Sequence, residues 1–295
     1  MIGLIGYHLA GMAIIVGVLA SPPPPGGIVP SERVAVEAVA GFGRGRYVLA
    51  RPGSDLTVPS HRGVGFEQRV RRLADGRCEV TVVTRLDIAR PQAPFPRVPP
   101  EPDPMGPSLG GGEAASSAIR ELSAEIVAGE TDQVGASAAI LLWVSLNIRH
   151  QDAPPHDEGA AATLETRVAS CVGRSRLAVA LLRAAGLPAR TVHGLVVTDS
   201  PTDRPATFTL HRFVETHVDG AGWIPSDPGD SVHLVAPSHV ILAFDDAPYD
   251  PDSQRELRVT PIETPVLFEL RGGDGSRPLV FRSWGATRGA GTIPR

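Results

Sequence analysis

Three residues in the middle of the chain have types and settings suited to acyl chemistry. Cys171 stands at the start of a predicted helix, in which Leu177, Ala180, Leu181 and Ala184 recur at helical spacing and Val179 and Leu182 widen the apolar face. Ser170 is placed to cap that helix, and Gly186 with Pro188 ends it. A thiol in a first helical turn faces free N–H groups and the positive end of the helix dipole, which favour the nucleophilic thiolate. A predicted strand from Arg190 to Val197 follows, then a second from Phe208 to Val218. On the second, His211, Phe213, Glu215 and His217 share one face by two-residue alternation. Asp219-Gly220-Ala221-Gly222 turns the chain into a return strand carrying Trp223 and Ile224, and Asp227 follows just beyond it. Cys171, His211 and Asp227 thus supply a nucleophile, a base and a carboxylate that can fix the base's tautomer. Zinc would accept the same sulfur, nitrogen and oxygen donors, so a metal site is the competing chemical reading.

The elements that must position these groups are read from the flanking sequence. Ala114 to Ala128 and Asp132 to Arg149 read as helices, the latter with Ala136, Ile140, Trp143, Val144 and Ile148 at helical spacing. Trp143 is expected in the core beneath the cysteine, and Asn147 is a candidate second donor to an oxyanion. Cys78, inside a strand pattern, is expected to be a small buried hydrophobe. His193, His217, His233 and His239 are read as solvated or hydrogen-bonded side chains.

At these residues the sequence resembles the transglutaminase-like superfamily, whose members share a papain-like fold. The resemblance is carried by the helix-opening Cys171, the Arg183-Ala184-Ala185-Gly186-Leu187-Pro188-Ala189-Arg190 exit into a strand, the His211-x-Phe213-x-Glu215 strand and the Gly222-Trp223-x-x-x-Asp227-Pro228 turn. Leu142-Trp143-Val144 and Asn147-Ile148-Arg149 look like the helix preceding the core in that family. Phe213 stands where tryptophan is frequent, and Ala169 where glycine commonly precedes the cysteine. The resemblance implies an α+β fold with a papain-like core, Cys171 as nucleophile, His211 as general base and Asp227 as the orienting carboxylate. It favours catalysis over metal binding, with no cofactor and no metal. The reaction implied is thiol-dependent hydrolysis of an amide in a peptide or protein. Transfer to an amine, as in a transglutaminase, and non-catalytic binding of peptide or cell-wall polymer are the alternatives.

Composition narrows the field. Among 295 residues there is no lysine, so all 28 basic positions are arginine and no Schiff-base lysine, P-loop lysine or Ser-Lys dyad exists. Two cysteines exclude a multi-disulfide scaffold and a four-cysteine zinc site. A net charge of −4 without a long basic run argues against nucleic acid as a partner.

The order of segments reads as follows. Residues 1–20 are apolar and end Val18-Leu19-Ala20, which fits a cleavable signal peptide, with an uncleaved membrane anchor as the alternative. Either places the remainder outside the cytoplasm, in the periplasm, the cell envelope or the medium. Residues 21–32 form a Pro/Gly tether and 33–91 a β-rich accessory segment, with strands at Val34–Val39, Arg46–Leu49 and Cys78–Ile88 and turns at Gly43, Pro52-Gly53 and Asp75-Gly76. Residues 92–112 read as a linker, 113–250 as the catalytic core and 251–295 as a C-terminal region with a β-hairpin.

Overall fold

A computed structural model describes residues 6–9, 12–15, 42–52, 56–85, 93–96, 116–154, 156–198, 207–244, 256–266, 269–271 and 278–280. The tether, the strand expected at Val34–Val39 and most of 1–20 and 92–112 lie outside the described residues. In chain order the strands before the helices are β1 (Gly6–Leu9), β2 (Met12–Ile15), β3 (Phe42–Ala50), β4 (His61–Gly63), β5 (Phe66–Arg72) and β6 (Cys78–Arg85). The middle of the chain forms α1 (Ser117–Ile126), α2 (Gln133–Asn147), β7 (Arg149–His150), α3 (Ala160–Thr166), β8 (Val168–Ala169) and α4 (Cys171–Ala184). Then come β9 (Ala189–Thr198), β10 (Thr207–Val218), β11 (Gly222–Ser226), β12 (His239–Phe244), β13 (Arg258–Val266), β14 (Glu269–Arg271) and β15 (Pro278–Val280).

The result is the expected α+β architecture: a helical layer, a four-stranded antiparallel sheet in the order β11-β10-β9-β12, and a five-stranded antiparallel sheet in the order β13-β3-β6-β5-β4. Strand alternation explains the layering. Val214 of β10 turns toward the helices, where it joins Ile140, Leu141, Val144, Leu177, Leu181 and Leu182 in one buried cluster. Its neighbour Phe213 turns the other way, into a second cluster with Tyr47, Leu49, Phe66, Val80 and Val82 of the five-stranded sheet. The five-stranded sheet of β3, β5 and β6 with its neighbours therefore forms the far wall of a core shared with β9, β10 and β12.

Polar side chains fasten the two sheets. Gln68 is buried, donating through Nε2 to the Ile241 carbonyl at 2.8 Å and accepting the Ile241 N–H at 2.8 Å. The Tyr47 hydroxyl donates to the Pro237 carbonyl at 2.9 Å. Glu215, fully buried on β10, meets His61 Nε2 of β4 at 2.6 Å and accepts from Arg190 Nε and Nη2 at 2.9 and 2.8 Å. A buried carboxylate requires such partners, because its desolvation is otherwise uncompensated.

Several local expectations change. Gly43 does not turn the chain: it lies within β3, whose ladder with β6 already begins at Phe42 opposite Arg85. The Asp75-Gly76 turn is present, with Gly76 at φ 81°, a conformation glycine adopts without steric cost. The C-terminal region contributes β13 to the five-stranded sheet, alongside β3, in addition to the hairpin of β14 and β15. Among the described residues no helix is long and apolar enough to cross a membrane.

Candidate active site

The start of α4 is built by side chains on both sides of Cys171. Ser170 caps the helix, its Oγ accepting the Val172 N–H at 3.1 Å. Glu158 reaches in from the preceding loop, and its Oε1 accepts the N–H groups of Ser170 at 2.7 Å and Gly173 at 3.3 Å. Three of the donors around the cysteine are thus occupied, and among the described residues no hydrogen bond engages the N–H of Cys171 itself. Gly173 lets α3 pack closely against this turn. A Cβ there would lie 2.5 Å from Thr163 Oγ1 and 2.7 Å from the Ala169 Cβ.

The sheet meets this helix start at an open edge. β11 pairs with β10 from Val214 to Val218, so among the described residues no strand pairs on that side with the first half of β10. The Arg212 backbone N–H there and the His211 side chain lie close enough to the Cys171 sulfur to favour its charged form. Asp227 lies one residue past the end of β11, where Ser226 pairs with Val214, and its Oδ2 sits 2.6 Å from His211 Nε2. With Nε2 engaged by the carboxylate, Nδ1 is the ring nitrogen left for the sulfur. The structure thus brings Cys171, His211 and Asp227 together, with the His211–Asp227 hydrogen bond at the centre.

The charges in that group reinforce one another. Burial pushes the Cys171 thiol up, but the hydrogen bond and charge of His211 and the Arg212 N–H outweigh it, leaving the thiol below its ordinary value of 9.0. Burial opposes an imidazolium at His211, yet the charge and hydrogen bond of Asp227, then Cys171, raise that ring from 6.5 to about 10. Asp227 is itself buried, which alone would raise it, and His211 and then His239 hold it well below the usual carboxylate range. The shifts favour a thiolate at Cys171 and an imidazolium at His211 resting on the Asp227 carboxylate.

Two contributors were not legible as site residues. His239, read as a solvated or hydrogen-bonded side chain, opens β12 and is buried; its Nε2 is 3.5 Å from Asp227 Oδ2 and its Nδ1 is 3.2 Å from the Ala236 carbonyl. Arg174 is a buried arginine in the first turn of α4. It donates to the Ile148 carbonyl and lies close enough to Asp227 and Cys171 for their charges to act on it. A helical spacing that puts Arg174 three residues after Cys171 was the available signal for the second. For His239 the signal was only the apolar run Val240–Leu242 beside it.

The remaining candidates fall elsewhere. Asn147 does not approach the cysteine, because it is exposed and its side-chain amide donates to the Trp143 carbonyl at 2.8 Å, back onto its own helix. Trp143 is half-buried against the helical core, with the Arg167 guanidinium 4.7 Å above its ring. Cys78 is buried in the second core, its S–H donating to the Leu56 carbonyl at 3.3 Å. His217 packs edge-on against Trp223, and His233 Nε2 is 2.8 Å from Ser137 Oγ.

Residues 120–228 match the family model of the transglutaminase-like superfamily. Two solved structures are similar to the chain. One is a cysteine-protease candidate from Cytophaga hutchinsonii, at 17% identity, covering 79% of this chain and 88% of that one with a TM-score of 0.45. The other is the periplasmic domain of TgpA from Pseudomonas aeruginosa, at 20% identity, covering 63% of this chain and 69% of that one with a TM-score of 0.41. No curated protein matches.

Proposed function

We propose that the protein is a cofactor-independent thiol hydrolase acting on amide bonds of peptides or proteins. The observation that carries this reading is the grouping of the three residues, with His211 Nε2 2.6 Å from Asp227 and the Cys171 thiol close enough to that ring to be stabilised by its charge. Cys171 attacks the carbonyl carbon as thiolate, forming a carbon–sulfur bond while the carbonyl oxygen takes up negative charge. The Cys171 N–H, left open while its neighbours are capped, is the donor available to that oxygen. The imidazolium of His211 then gives its Nδ1 proton to the leaving amine, and the neutral ring later takes a proton from the water that cleaves the acyl-enzyme. Asp227 holds the ring throughout and stabilises its charged form.

Export is part of the proposal. It rests on the apolar run of residues 1–20 ending Val18-Leu19-Ala20 ahead of a proline tether. Intact mass of the exported product should begin beyond that run. A product retaining Met1 in the membrane fraction would replace cleavage by anchoring.

The activity is tested with purified protein and a peptide library. Cleavage should appear without added metal or cofactor and disappear in Cys171→Ala, and iodoacetamide should label Cys171 well before Cys78. An unreactive Cys171 and no cleavage of any peptide would leave a binding domain. Joining of glutamine side chains to a supplied amine, with little free acid released, would make the protein a transglutaminase.

A further inference from the structure

We propose that the floor of the cleft behind His211 is an inhibitory site for a first-row transition ion, zinc above all, held by Nε2 of His211, Nε2 of His239 and the carboxylate of Asp227. This inference rests on the reading of His211 and Asp227 as catalytic partners. The ligand atoms of the three residues all lie within 4.8 Å of one another. Both Nε2 atoms converge on one carboxylate oxygen, at 2.6 and 3.5 Å. Two imidazoles and a carboxylate are a donor set that zinc takes readily.

The contacts around these groups are those that orient metal ligands. His239 faces a backbone carbonyl, Ala236, with its other nitrogen at 3.2 Å, and Phe213 abuts its ring edge-on at 5.4 Å. The two imidazoles meet at 73° with centroids 5.7 Å apart, so their nitrogens approach at an angle. The second oxygen of Asp227 accepts the Gly229 N–H at 2.9 Å. Such outer contacts fix tautomer and ring orientation in zinc sites. Asp230, on the same turn, is close enough to act electrostatically on Asp227, His239 and His211. Arg174 works in the opposite direction on Asp227, which sets the site apart from a permanent structural one. A triad needs one imidazole on its carboxylate, and here a second stands beside it.

Occupancy would stop turnover in a recognisable way. The ion replaces the proton on Nε2 of His211, which is released to solvent, and the ring keeps one proton on Nδ1, facing Cys171. With both nitrogens engaged the ring cannot accept another proton, so it cannot cycle between acid and base. The sulfur, on the other side of the ring, stays unliganded. Inhibition should therefore leave the thiol open to alkylation, whereas an ion captured directly by Cys171 would block both.

The test uses the full chain, Zn²⁺ for inhibition and calorimetry, and Co²⁺ for absorption. Zn²⁺ should abolish turnover reversibly, with activity restored by chelator, while iodoacetamide still labels Cys171. Bound Co²⁺ should lack a thiolate charge-transfer band. His239→Gln should weaken binding at least about tenfold, and His239→Cys, which keeps a ligating atom, should recover part of it. No saturable binding, binding unchanged in both variants, or a thiolate band with blocked alkylation would overturn the site. Absence of amide cleavage in metal-free protein would defeat the hydrolase reading instead, while calorimetry and absorption still decide the metal site.

Discussion

His211 stands between two partners: its Nε2 meets Asp227 Oδ2 at 2.6 Å, and the Cys171 thiol lies close enough to the ring for the two to stabilise each other's charged forms. The ring is thereby fixed in the orientation that proton transfer to and from the substrate requires.

The first consequence concerns pH. The thiol is held below 9.0, and His211 keeps its proton until about pH 10. Alkylation of Cys171 should rise with pH through an inflection below that of an ordinary thiol. Turnover should persist until it falls near pH 10, where the imidazolium that protonates the leaving amine is lost. His211→Ala should move the thiol inflection upward, since burial then acts unopposed. An inflection at or above 9.0 in the wild type would contradict the ion pair.

Asp227→Asn removes the charge that stabilises the imidazolium. We expect kcat/KM to fall by about 10²- to 10⁴-fold, with Cys171 still alkylated but less readily at neutral pH. Stability should fall too, and the sign differs at each end of the pH range. Asp227, depressed from 3.8, contributes above that value and loses the contribution as pH falls. His211, raised from 6.5, contributes fully below 6.5 and loses the contribution as pH rises through about 10. Urea midpoints of wild type and variant should therefore differ most between 3.8 and 6.5 and converge toward either extreme.

Gly173→Ala tests the packing beneath the nucleophile. The added Cβ would meet Thr163 Oγ1 and the Ala169 Cβ, so α3 and the start of α4 must separate. Overpacking of this kind costs about 1–3 kcal/mol. Because Cys171 lies two residues away, kcat should fall together with the denaturation midpoint. An unchanged midpoint with full activity would mean that the turn has room the structure does not show.

Glu215→Ala tests the link between the two sheets. It would strand the buried charge of Arg190 and leave His61 without its carboxylate, and breaking such a group costs about 3–5 kcal/mol. The loss should be read by urea unfolding, and the alkylation profile of Cys171 in the folded fraction should stay as in the wild type.

Much of the site was legible because its parts are local. The cap, the helix from Cys171 to Ala184 and the strands carrying His211 and Trp223 each announce themselves through spacing and turn residues within a few positions. What escaped the sequence depends on approach across the fold. α3 is too short to show a period, and the capping role of Glu158 exists only once its loop folds over α4. His239 reaches Asp227 because β12 pairs with β9, with Val240 opposite Leu195, a register no local pattern states. Asn147 failed for a related reason: position on a helix gave its neighbourhood but not its rotamer, and the nearest acceptor was its own backbone.

The pairing of β13 with β3, Arg258 opposite Ala50, carries a consequence for the order of events in the life of the chain. An early segment waits for a later one, so the five-stranded sheet cannot close until the chain through β13 has been made and, if exported, delivered. Contacts of such long sequence separation slow folding. Until the late segment arrives, β3 presents an unpaired backbone edge, the kind of surface on which neighbouring chains associate. A nascent or truncated chain ending before Arg258 would therefore be a target for chaperones and proteases before it had any capacity to act on a substrate of its own.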